Sequence, residues 1–298
     1  MAERRKLEDR VALVTGANSG IGRVAVEALR GVGFAVYAGA RRPEAMAELE
    51  ADGFRALRLD VTDEESMVSA VATIESAHGA VDVLVNSAGY GLYGPMEEVS
   101  LDDLRDEFEV NVFGLLRMSQ LVLSGMRTRG GGRILHIGSV GGLFTSPFSG
   151  AYHMSKYAVE SLSDAMRAEV AGFGVEVVLL EPTGVRTPFV HKQVATTPDA
   201  GPDSPYAAQK AAGAEGAVAL FRPGSRAVVD PEDVARVVVQ AATVRRPRTR
   251  YKVGMAARVI PVVRAVLPDR AWDRTAMRQF ASGDGAQDAQ SPAATTAS

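Results

Sequence analysis

Short apolar runs alternate with longer stretches of helical pattern through the first part of the chain. Six of these runs are predicted to be strands, at residues 11–14, 35–38, 56–59, 81–85, 134–137 and 175–180. Such alternation is typical of βαβ units, whose strands form a parallel sheet. Because the runs are continuously apolar, helices are expected on both faces of the sheet. The predicted fold class is therefore α/β, a doubly wound parallel sheet.

Helix start signals, and one segment where the alternation of strand and helix patterns stops, indicate the domain organisation. Three pairs have the spacing of helix N-terminal caps: Thr62 with Glu65, Ser100 with Asp103, and Asp230 followed by Pro231. Residues 187–226 lack periodicity, so we predict an insertion of loops and short helices, of the kind that builds binding sites. No linker divides the chain. We therefore predict a single domain over residues 1–280 and a disordered, small and polar tail at 281–298.

Composition and charge remove several classes of function. The chain has 298 residues, of which 46% are apolar and 23% charged, as in ordinary folded domains. Its net charge of −3 gives no global attraction for nucleic acid, so no such partner is expected. The absence of cysteine excludes disulfide scaffolds and thiol nucleophiles and suits the cytoplasm, where we expect the protein to reside. The four histidines have no paired metal-ligand spacing, so no metal site is predicted.

Residues 245–278 combine arginines with apolar residues. We predict an amphipathic helix docked on the domain, with peripheral contact with an anionic membrane as the alternative. The first ten residues lack the apolar core of a secretory signal, and no stretch reaches the roughly 18 uncharged apolar residues that span a bilayer. Export and membrane insertion are therefore not expected.

A glycine-rich turn follows the first predicted strand. Residues 15–22 read Thr-Gly-Ala-Asn-Ser-Gly-Ile-Gly and lead into a segment of helical composition. Glycines allow a tight turn and a close approach of the backbone, and the helix start offers N–H groups and a positive dipole to a pyrophosphate. A glycine turn alone is weak evidence, but the order of strand, turn and helix predicts a dinucleotide site.

The end of the second predicted strand bears on which dinucleotide binds. Proteins that hold the adenosine ribose through its 2′-hydroxyl usually carry an acid here, whereas this chain has Arg41 and Arg42. An arginine pair can bind a 2′-phosphate through charge-assisted contacts, which favours NADP(H) over NAD(H). A solvated basic turn is the alternative. Asp60, at the end of the third predicted strand, either meets the adenine or caps the next helix.

Candidate catalytic side chains lie between residues 132 and 156. Tyr152 and Lys156 are four residues apart in a segment of helical pattern, so both project from one face. An adjacent ammonium favours the phenolate, and we expect it to lower the pKa of Tyr152 from the usual value of about 10. Tyr152 could then exchange a proton with a carbonyl oxygen, to which the hydroxyl of Ser139 could hydrogen-bond. A tyrosine and a lysine at this spacing also occur by chance in many helices.

The sequence resembles the short-chain dehydrogenase/reductase family over roughly residues 7–255. The resemblance rests on residues 15–22, Asn86-Ser87-Ala88-Gly89, Asn111, Ser139 and the run from Tyr152 to Lys156, in the family's order. It implies a Rossmann fold of about seven strands in the order 3-2-1-4-5-6-7, with the seventh near residues 250–253. It also implies that Tyr152 is the general acid or base and that Lys156 binds the nicotinamide ribose and tunes Tyr152. Ser139 would orient the substrate, and Asn111 would support a water-mediated proton relay.

The resemblance, the glycine turn and the arginine pair together imply a set of cofactor-binding residues. These are Gly16, Asn18, Ser19, Gly20, Ile21, Gly22, Arg41, Arg42, Asp60, Val61, Asn86, Ala88, Gly89, Tyr152, Lys156, Pro182, Thr183, Val185 and Thr187. Two positions depart from the family pattern: Ser87 stands where a second asparagine is frequent, and Thr183 where a glycine usually follows Pro182. The second departure lies in the backbone segment beside the nicotinamide, and Thr187 matches the residue that commonly contacts the carboxamide.

The apolar residues around the site are similar to one branch of the family. Residues 90–95 and 138–143 look most like the 17β-hydroxysteroid and retinol dehydrogenases, whose substrates are lipophilic alcohols and ketones. The substrate-pocket candidates are Leu92, Tyr93, Leu143, Phe144, Phe148 and Phe189. They would suit a steroid-, retinoid- or polyketide-like molecule, with ordinary loop packing as the alternative for each.

The leading hypothesis is an NADP(H)-dependent ketone reductase or secondary-alcohol dehydrogenase, whose small-molecule partner is a moderately large, apolar carbonyl or alcohol. One alternative is a dinucleotide-sensing protein on the same fold, without turnover. Another is an epimerase or dehydratase, which usually needs a longer C-terminal substrate region. The resemblance also implies a homodimer or homotetramer formed through the helices that contain Asn111 and Tyr152.

Overall fold

The central sheet consists of seven parallel strands, in a computed structural model that describes residues 6–198, 204–222, 224–225 and 227–278. In chain order the strands are β1 (Val11–Val14), β2 (Ala35–Ala40), β3 (Arg55–Arg58), β4 (Val83–Asn86), β5 (Gly132–Ile137), β6 (Val175–Pro182), β7 (Gly184–Val185), β8 (Val228–Val229) and β9 (Arg250–Val253). All of these except β7 and β8 belong to the central sheet, and β7 and β8 pair with each other. The sheet order is β3-β2-β1-β4-β5-β6-β9, and each neighbouring pair is parallel. The predicted fold class and strand order are confirmed, with β9 as the seventh strand of the sheet.

Helices connect the strands and cover the sheet. The α-helices of the described residues are α1 (Gly20–Gly31), α2 (Pro43–Ala51), α3 (Glu64–His78), α4 (Leu101–Phe108), α5 (Leu115–Arg129), α6 (Gly150–Val170), α7 (Phe189–Val194), α8 (Ala207–Leu220), α9 (Pro231–Thr243), α10 (Met255–Val266) and α11 (Asp269–Met277). A π-helical segment, Glu109–Gly114, joins α4 to α5 without a break, and a 3-10 turn, Val140–Gly142, follows β5.

Both faces of the sheet are buried, as β1 shows. All four of its residues are fully buried. Ala12 and Val14 pack into one apolar layer with residues of α1, α2 and α9. Val11 and Leu13 pack into the other layer with residues of α3, α5 and α6. Two buried faces require apolar residues at successive positions, which explains the unbroken apolar run in the sequence.

The predicted cap of α3 is wrong. The helix is capped by Asp63, whose side chain accepts a hydrogen bond from the N–H of Ser66 at 3.2 Å. The hydroxyl of Thr62 instead donates to Oδ1 of Asp60 at 2.8 Å, in a turn just before the helix. A short carboxylate is the stronger cap acceptor, and Asp60 leaves Thr62 unavailable, so the pairing with Glu65 does not form.

The other two predicted helix starts are confirmed. Ser100 caps α4, since its hydroxyl accepts from the N–H of Asp103 at 3.0 Å. Asp230 directly precedes α9, and its N–H donates to Oδ2 of Asp233 at 3.1 Å.

The segment at residues 187–226 differs from the predicted loops and short helices. It contains the short α7, but also α8, which is 14 residues long. Half of α8 is alanine, the strongest helix former, so intrinsic propensity makes a helix without the apolar periodicity on which the prediction relied. The short parallel pair of β7 and β8, with Gly184 opposite Val228, was also not predicted.

The C-terminal helices match the predicted docked amphipathic helix only in part. The indole nitrogen of Trp272 in α11 donates to the carbonyl oxygen of Thr145 at 3.1 Å, which docks that helix. In α10, Ala257 is buried, but Met255, Val262 and Val266 are 67%, 61% and 74% exposed. None of the described helices is long and apolar enough to cross a membrane. The predicted tail, residues 281–298, lies outside the described residues.

Candidate active site

The glycine turn lies between the carboxyl end of β1 and the start of α1. Gly16 and Gly20 have φ angles of +65° and +56°, in the left-handed region that glycine adopts most readily. A Cβ on Gly22 would lie 2.3 Å from the carbonyl oxygen of Gly16, so the third glycine is required by contact with the backbone. The turn therefore folds back on the first turn of α1 and leaves room for a group at that helix N-terminus. This cradle fits the pyrophosphate of a dinucleotide.

Thr15 joins the turn to the neighbouring strand, a role that the sequence analysis missed. Its hydroxyl oxygen accepts hydrogen bonds from the backbone N–H groups of Ser87 and Ala88, both at 3.0 Å. A Cβ on Gly16 would lie 2.8 Å from Cα of Ala88, which shows how closely the two segments approach. A threonine directly after a buried strand and before a glycine turn was the available signal.

Thr187 reaches the same turn from the other side. A Cβ on Gly20 would lie 3.4 Å from the methyl group of Thr187. The structure thus brings together two predicted cofactor residues that are far apart in sequence. Parallel strands end at one edge of a sheet, which is why segments after β1, β4 and β6 converge here.

The arginine pair follows β2 at this edge. Arg41 and Arg42 are both exposed, and no hydrogen bond or ion pair engages either side chain within the described part of the chain. The backbone N–H of Ala17 donates to the carbonyl oxygen of Gly39 at 2.9 Å, so the end of β2 lies against the glycine turn. Two unpaired guanidinium groups are therefore free to meet an anion that extends from the turn.

Asp60 and Val61 hold the chain after β3. Oδ1 of Asp60 accepts from the N–H and the hydroxyl of Thr62, at 3.0 and 2.8 Å. Asp60 thus stabilises a turn and is not the cap of α3. Val61 is buried, and a Cβ on Gly114 would lie 2.4 Å from its carbonyl oxygen, so it packs against the π-helical segment. The contact of Asp60 with an adenine stays a prediction.

The side chain of Asn86, at the end of β4, forms hydrogen bonds to α5 within the protein. Its amide nitrogen donates to the hydroxyl of Ser119 at 3.0 Å and to the carbonyl of Leu115 at 3.4 Å. These bonds hold α5 against the sheet. Ala88 and Gly89 lie in the turn that follows, and a Cβ on Gly89 would be 3.0 Å from Oδ1 of Asn111.

The departure at Thr183 is accommodated by its surroundings. The Thr183 hydroxyl donates to the carbonyl of Ala227 at 3.1 Å, and its N–H donates to the carbonyl of Val253 at 3.0 Å. A Cβ on Gly184 would lie 2.8 Å from the Val228 side chain, so the glycine is needed one position later, where β7 meets β8. Val185 pairs with Val229 in the same ladder.

Ser139, Tyr152 and Lys156 are gathered beside the end of β5. The Ser139 hydroxyl accepts from the N–H of Gly141 at 3.0 Å and hydrogen-bonds the Tyr152 phenol. Tyr152 and Lys156 lie on successive turns of α6, with the lysine ammonium 5.6 Å from the centre of the tyrosine ring. The Lys156 ammonium donates to the carbonyl oxygen of Ile137 at 3.0 Å. The predicted convergence of these three side chains is therefore observed.

The electrostatics of this group differ from the expectation. Burial raises the pKa of Tyr152 to about 12, while the hydrogen bond from Ser139 acts in the opposite direction. Burial also lowers the pKa of Lys156 to about 8. We predicted that Lys156 lowers the pKa of Tyr152, but loss of hydration dominates here because the ammonium is directed at the carbonyl of Ile137.

Asn111 lies in the π-helical segment and is almost fully buried. Its Nδ2 donates to the carbonyl of Tyr90 at 2.8 Å and to the hydroxyl of Ser155 at 3.0 Å. Its Oδ1 accepts from the N–H of Tyr90 at 3.1 Å. Asn111 thus joins the loop after β4 to α6. An ordinary helix was expected here, whereas the side chain lies on a wider π turn, a feature frequent at functional sites.

The apolar candidates fall into separate places. Phe189, at the start of α7, lies beside the tyrosine, with a ring-centre distance of 5.4 Å to Tyr152. Tyr93 stacks on Phe148 at 6.1 Å, and Phe148 contacts Tyr206 at 6.4 Å, in a cluster where both Tyr93 and Phe148 are buried. This cluster anchors the segment before α8.

Of the remaining apolar candidates, Leu143 and Phe144 lie after β5, and Leu92 lies in the loop after β4. Phe144 packs edge-on against Trp272 of α11, with ring centres 5.7 Å apart. Leu92 is buried and Leu143 partly exposed. The carbonyl of Leu92 accepts from Nε2 of Gln193 at 3.3 Å, so α7 rests on the loop after β4. Of the six predicted residues, Phe189 is the one seen in ring contact with Tyr152 among the described residues.

His153 supports the turn that carries Ser139. Its Nδ1 lies 2.7 Å from the carbonyl oxygen of Gly141, and its Nε2 lies 3.1 Å from the hydroxyl of Ser146. Burial lowers the pKa of His153, and a carbonyl can only accept, so the neutral ring carries its proton on Nδ1. The histidine therefore holds the turn after Ser139 against α6. Within the described ranges no group of three or more His, Cys, Asp or Glu could hold a metal ion.

The glycine cradle and the Ser139, Tyr152 and Lys156 group lie at one edge of a parallel Rossmann sheet, an arrangement typical of dinucleotide-dependent oxidoreductases. Residues 10–198 match the family described as short chain dehydrogenase. Human 17-beta-hydroxysteroid dehydrogenase type 1 is 34% identical over 298 residues, covering 92% of this chain and 86% of that protein. The NADPH-dependent 3-dehydrocapnine reductase of Ornithobacterium rhinotracheale is 31% identical, covering 89% and 95%. The chain belongs to the short-chain dehydrogenase/reductase family.

Solved structures of the same family share this fold. A short-chain dehydrogenase/reductase from Burkholderia phymatum, solved in complex with NAD, is 27% identical with a TM-score of 0.74. The match covers 88% of this chain and 94% of that one.

The glycine cradle yields a test with a matched control. We expect Gly22→Ala to weaken dinucleotide binding at least about 100-fold, or about 2.7 kcal/mol, because its Cβ would displace the Gly16 carbonyl. Gly31→Ala, in the last turn of the same helix, has open space at its Cβ and should bind normally. Isothermal titration calorimetry with NADPH and NADH measures both. Unchanged binding by Gly22→Ala would show that the nucleotide does not use this turn.

Proposed function

We propose that this oxidoreductase reduces ketones or oxidises secondary alcohols of lipophilic character, with NADP(H) as its dinucleotide. The observation that supports it is the convergence of Ser139, Tyr152 and Lys156 at the edge of the sheet that carries the glycine cradle. When bound, the nicotinamide supplies or accepts the hydride. The chain then has to orient the substrate oxygen, transfer a proton to or from it, and exclude water.

Tyr152 is the proton donor in reduction. Its phenol gives the proton to the substrate oxygen as the hydride reaches the carbonyl carbon, and in oxidation the phenolate takes a proton from the alcohol. Ser139 already hydrogen-bonds the phenol and holds the substrate oxygen beside it. The Lys156 charge stabilises the phenolate that forms, and Asn111 keeps α6 in register with the loop after β4.

The nucleotide is held by the glycine turn and by the segments that converge on it. The residues proposed to contact it are Gly16, Asn18, Ser19, Gly20, Ile21, Gly22, Arg41, Arg42, Asp60, Val61, Asn86, Ala88, Gly89, Tyr152, Lys156, Pro182, Thr183, Val185 and Thr187. Because the side chains of Asp60, Asn86 and Thr183 are engaged within the protein, these residues would meet it through their backbone.

Two observations support NADP(H). Arg41 and Arg42 are exposed and unpaired within the described residues, at the strand end where a 2′-phosphate would lie. The Ornithobacterium relative is named as an NADPH-dependent reductase. The Burkholderia structure holds NAD, so members of the family use either dinucleotide.

A lipophilic substrate is supported by the surroundings of Tyr152. The ring of Phe189 lies 5.4 Å from the tyrosine ring, and α7, which carries Phe189, rests on the loop that contains Leu92. The human relative is named as a hydroxysteroid dehydrogenase. A steroid-, retinoid- or polyketide-like ketone would bury its apolar body against this helix and leave its oxygen at Ser139 and Tyr152.

Removing the phenol tests the proton donor. We expect Tyr152→Phe to bind NADPH normally and to lose about 100- to 10,000-fold in kcat, the usual contribution of general acid catalysis. Absorbance assays with NADPH and a panel of aliphatic, aromatic, steroid and retinoid ketones measure this. Tyr157→Phe, an exposed neighbour on α6, is the matched control and should keep its activity. Substantial turnover by Tyr152→Phe would remove Tyr152 from this role, and nucleotide binding without turnover by the unmodified protein would favour a sensor.

Removing one guanidinium tests the cofactor preference. We expect Arg41→Ala to raise the Kd for NADPH about 10- to 100-fold and to leave that for NADH almost unchanged, because only NADPH carries the 2′-phosphate. Arg105→Ala, an exposed arginine on α4, controls for a change in overall charge. Equal effects of Arg41→Ala on the two dinucleotides would identify a solvated basic turn.

A homodimer or homotetramer through α5 and α6 is supported by exposed apolar side chains at their beginnings. Phe113, Met154 and Tyr157 are 51%, 45% and 44% exposed, whereas neighbouring apolar residues such as Leu115, Met118 and Val159 are buried. A symmetric interface would cover this surface twice.

Residence in the cytoplasm also stays a prediction from the sequence.

We expect light scattering to find a dimer or tetramer, and Phe113→Glu to shift it toward the monomer, since a charge at the centre of an apolar interface is costly. Phe173→Glu alters a phenylalanine of similar exposure at the far end of α6 and should leave the assembly intact. A monomeric unmodified protein would overturn this proposal.

A further inference from the structure

A carboxylate is completely buried one helical turn before Asn111. Glu107 lies on α4, and its side chain is closed off from solvent. Its Oε1 accepts a hydrogen bond from Nδ2 of Asn111 at 3.3 Å, and the backbone N–H of Leu92 also donates to the carboxylate. Its Oε2 is buried and has no hydrogen-bond partner among the described residues. Burying a charged group is expensive unless an opposite charge compensates it, so the position of Glu107 needs a reason.

The compensating charge is Lys156. The ammonium of Lys156 acts on Glu107 and the carboxylate acts on Lys156, each favouring the charged form of the other. The other titratable groups under its influence are Tyr152 on α6 and Tyr90 in the loop after β4. Glu107 therefore acts electrostatically on a lysine and two tyrosines. It is also the acid seen to act on Lys156 within the described residues.

Because of these interactions, the protonation states of Glu107, Lys156 and Tyr152 are coupled. Burial raises the pKa of Glu107 to about 7, against the opposing effects of the Leu92 N–H and of Lys156. Burial lowers the pKa of Lys156 to about 8, and Glu107 limits that fall. The same carboxylate raises the pKa of Tyr152. A negative charge at Glu107 thus favours both the ammonium and the protonated phenol, the two forms that carbonyl reduction requires.

We propose that Glu107 is a positioning residue of the catalytic group, which holds the Asn111 amide beside α6 and supplies a buried negative charge to the group that contains Lys156 and Tyr152. The proposal rests on the proposed function, because it assigns Glu107 a task in that proton transfer. Glu107 does not contact the substrate; it acts through its neighbours. Glu107 and Asn111 are four residues apart, and Asn111 also donates to Ser155 on α6, so the contact links Glu107 to the helix that carries Tyr152 and Lys156.

The pH dependence of carbonyl reduction tests the proposal. Without the carboxylate, the pKa values of Lys156 and Tyr152 both fall, so the alkaline limb of kcat/KM should move to lower pH in Glu107→Gln. We expect a move of about one pH unit, which is about a tenfold loss on the alkaline side. The loss should be small near pH 6, where Glu107 is already protonated, and grow above pH 7. A role limited to packing would lower activity by the same factor at every pH, and that result would overturn the proposal.

Two further variants separate charge from shape. Glu107→Asp keeps the charge and shortens the side chain, so its alkaline limb should stay where the unmodified protein has it, whatever its absolute rate. Glu109→Gln removes an exposed acid two residues further along and should leave the profile unchanged. A limb shifted equally by Glu107→Asp and Glu107→Gln would show that geometry, not charge, is responsible.

A titration without substrate distinguishes failure of this proposal from failure of the proposed function. The chain has five lysines, so 13C-labelled lysine gives few NMR signals, and the Lys156 signal is the one absent in Lys156→Met. We expect Lys156 to titrate at lower pH in Glu107→Gln than in the unmodified protein. Identical titrations would overturn the proposal, even if the enzyme reduces ketones as proposed. A shifted titration would support it, even if no tested ketone is a substrate.

Discussion

The close approach between the β1 turn and its neighbours is the constraint on which the rest of the site depends. A Cβ at Gly22 or Gly16 would meet backbone atoms at 2.3 or 2.8 Å, so the turn, the first turn of α1 and the end of β4 are in direct contact. The hydroxyl of Thr15 satisfies two N–H groups that this contact would otherwise leave unpaired. Because β1 is buried on both faces, the turn is held at the sheet edge where the proposed catalytic side chains converge.

Burial is the second common factor at that edge. Tyr152, Lys156 and Glu107 are all removed from water. Burial raises the pKa values of Tyr152 and Glu107 and lowers that of Lys156, so it favours the neutral form of each group. In such a place a charge on one group has a large effect on the others, because little water screens it. The protonation states of these groups on α4 and α6 therefore depend on one another, and Asn111 joins the two helices through Glu107 and Ser155.

A residue that departs from the family pattern is tolerated where the surrounding packing accommodates its side chain. Thr183 replaces a glycine of the family pattern, and its hydroxyl finds the carbonyl of Ala227, a residue next to β8. The glycine is needed instead at position 184, where Val228 approaches most closely. The short β7 and β8 pair therefore absorbs the change, and the strand end beside the proposed nicotinamide site stays paired with β9.

The sequence alone determined the parallel sheet, its strands to within two residues, and the Ser139, Tyr152 and Lys156 group. These depend on local signals: continuous apolar runs, a glycine turn and a spacing of four residues. Only the tertiary structure decided the roles of Thr15, His153 and Glu107, the helical nature of residues 207–220 and the place of each aromatic residue. These roles depend on contacts between segments far apart in sequence and on burial that depends on all of them together, which no local pattern records.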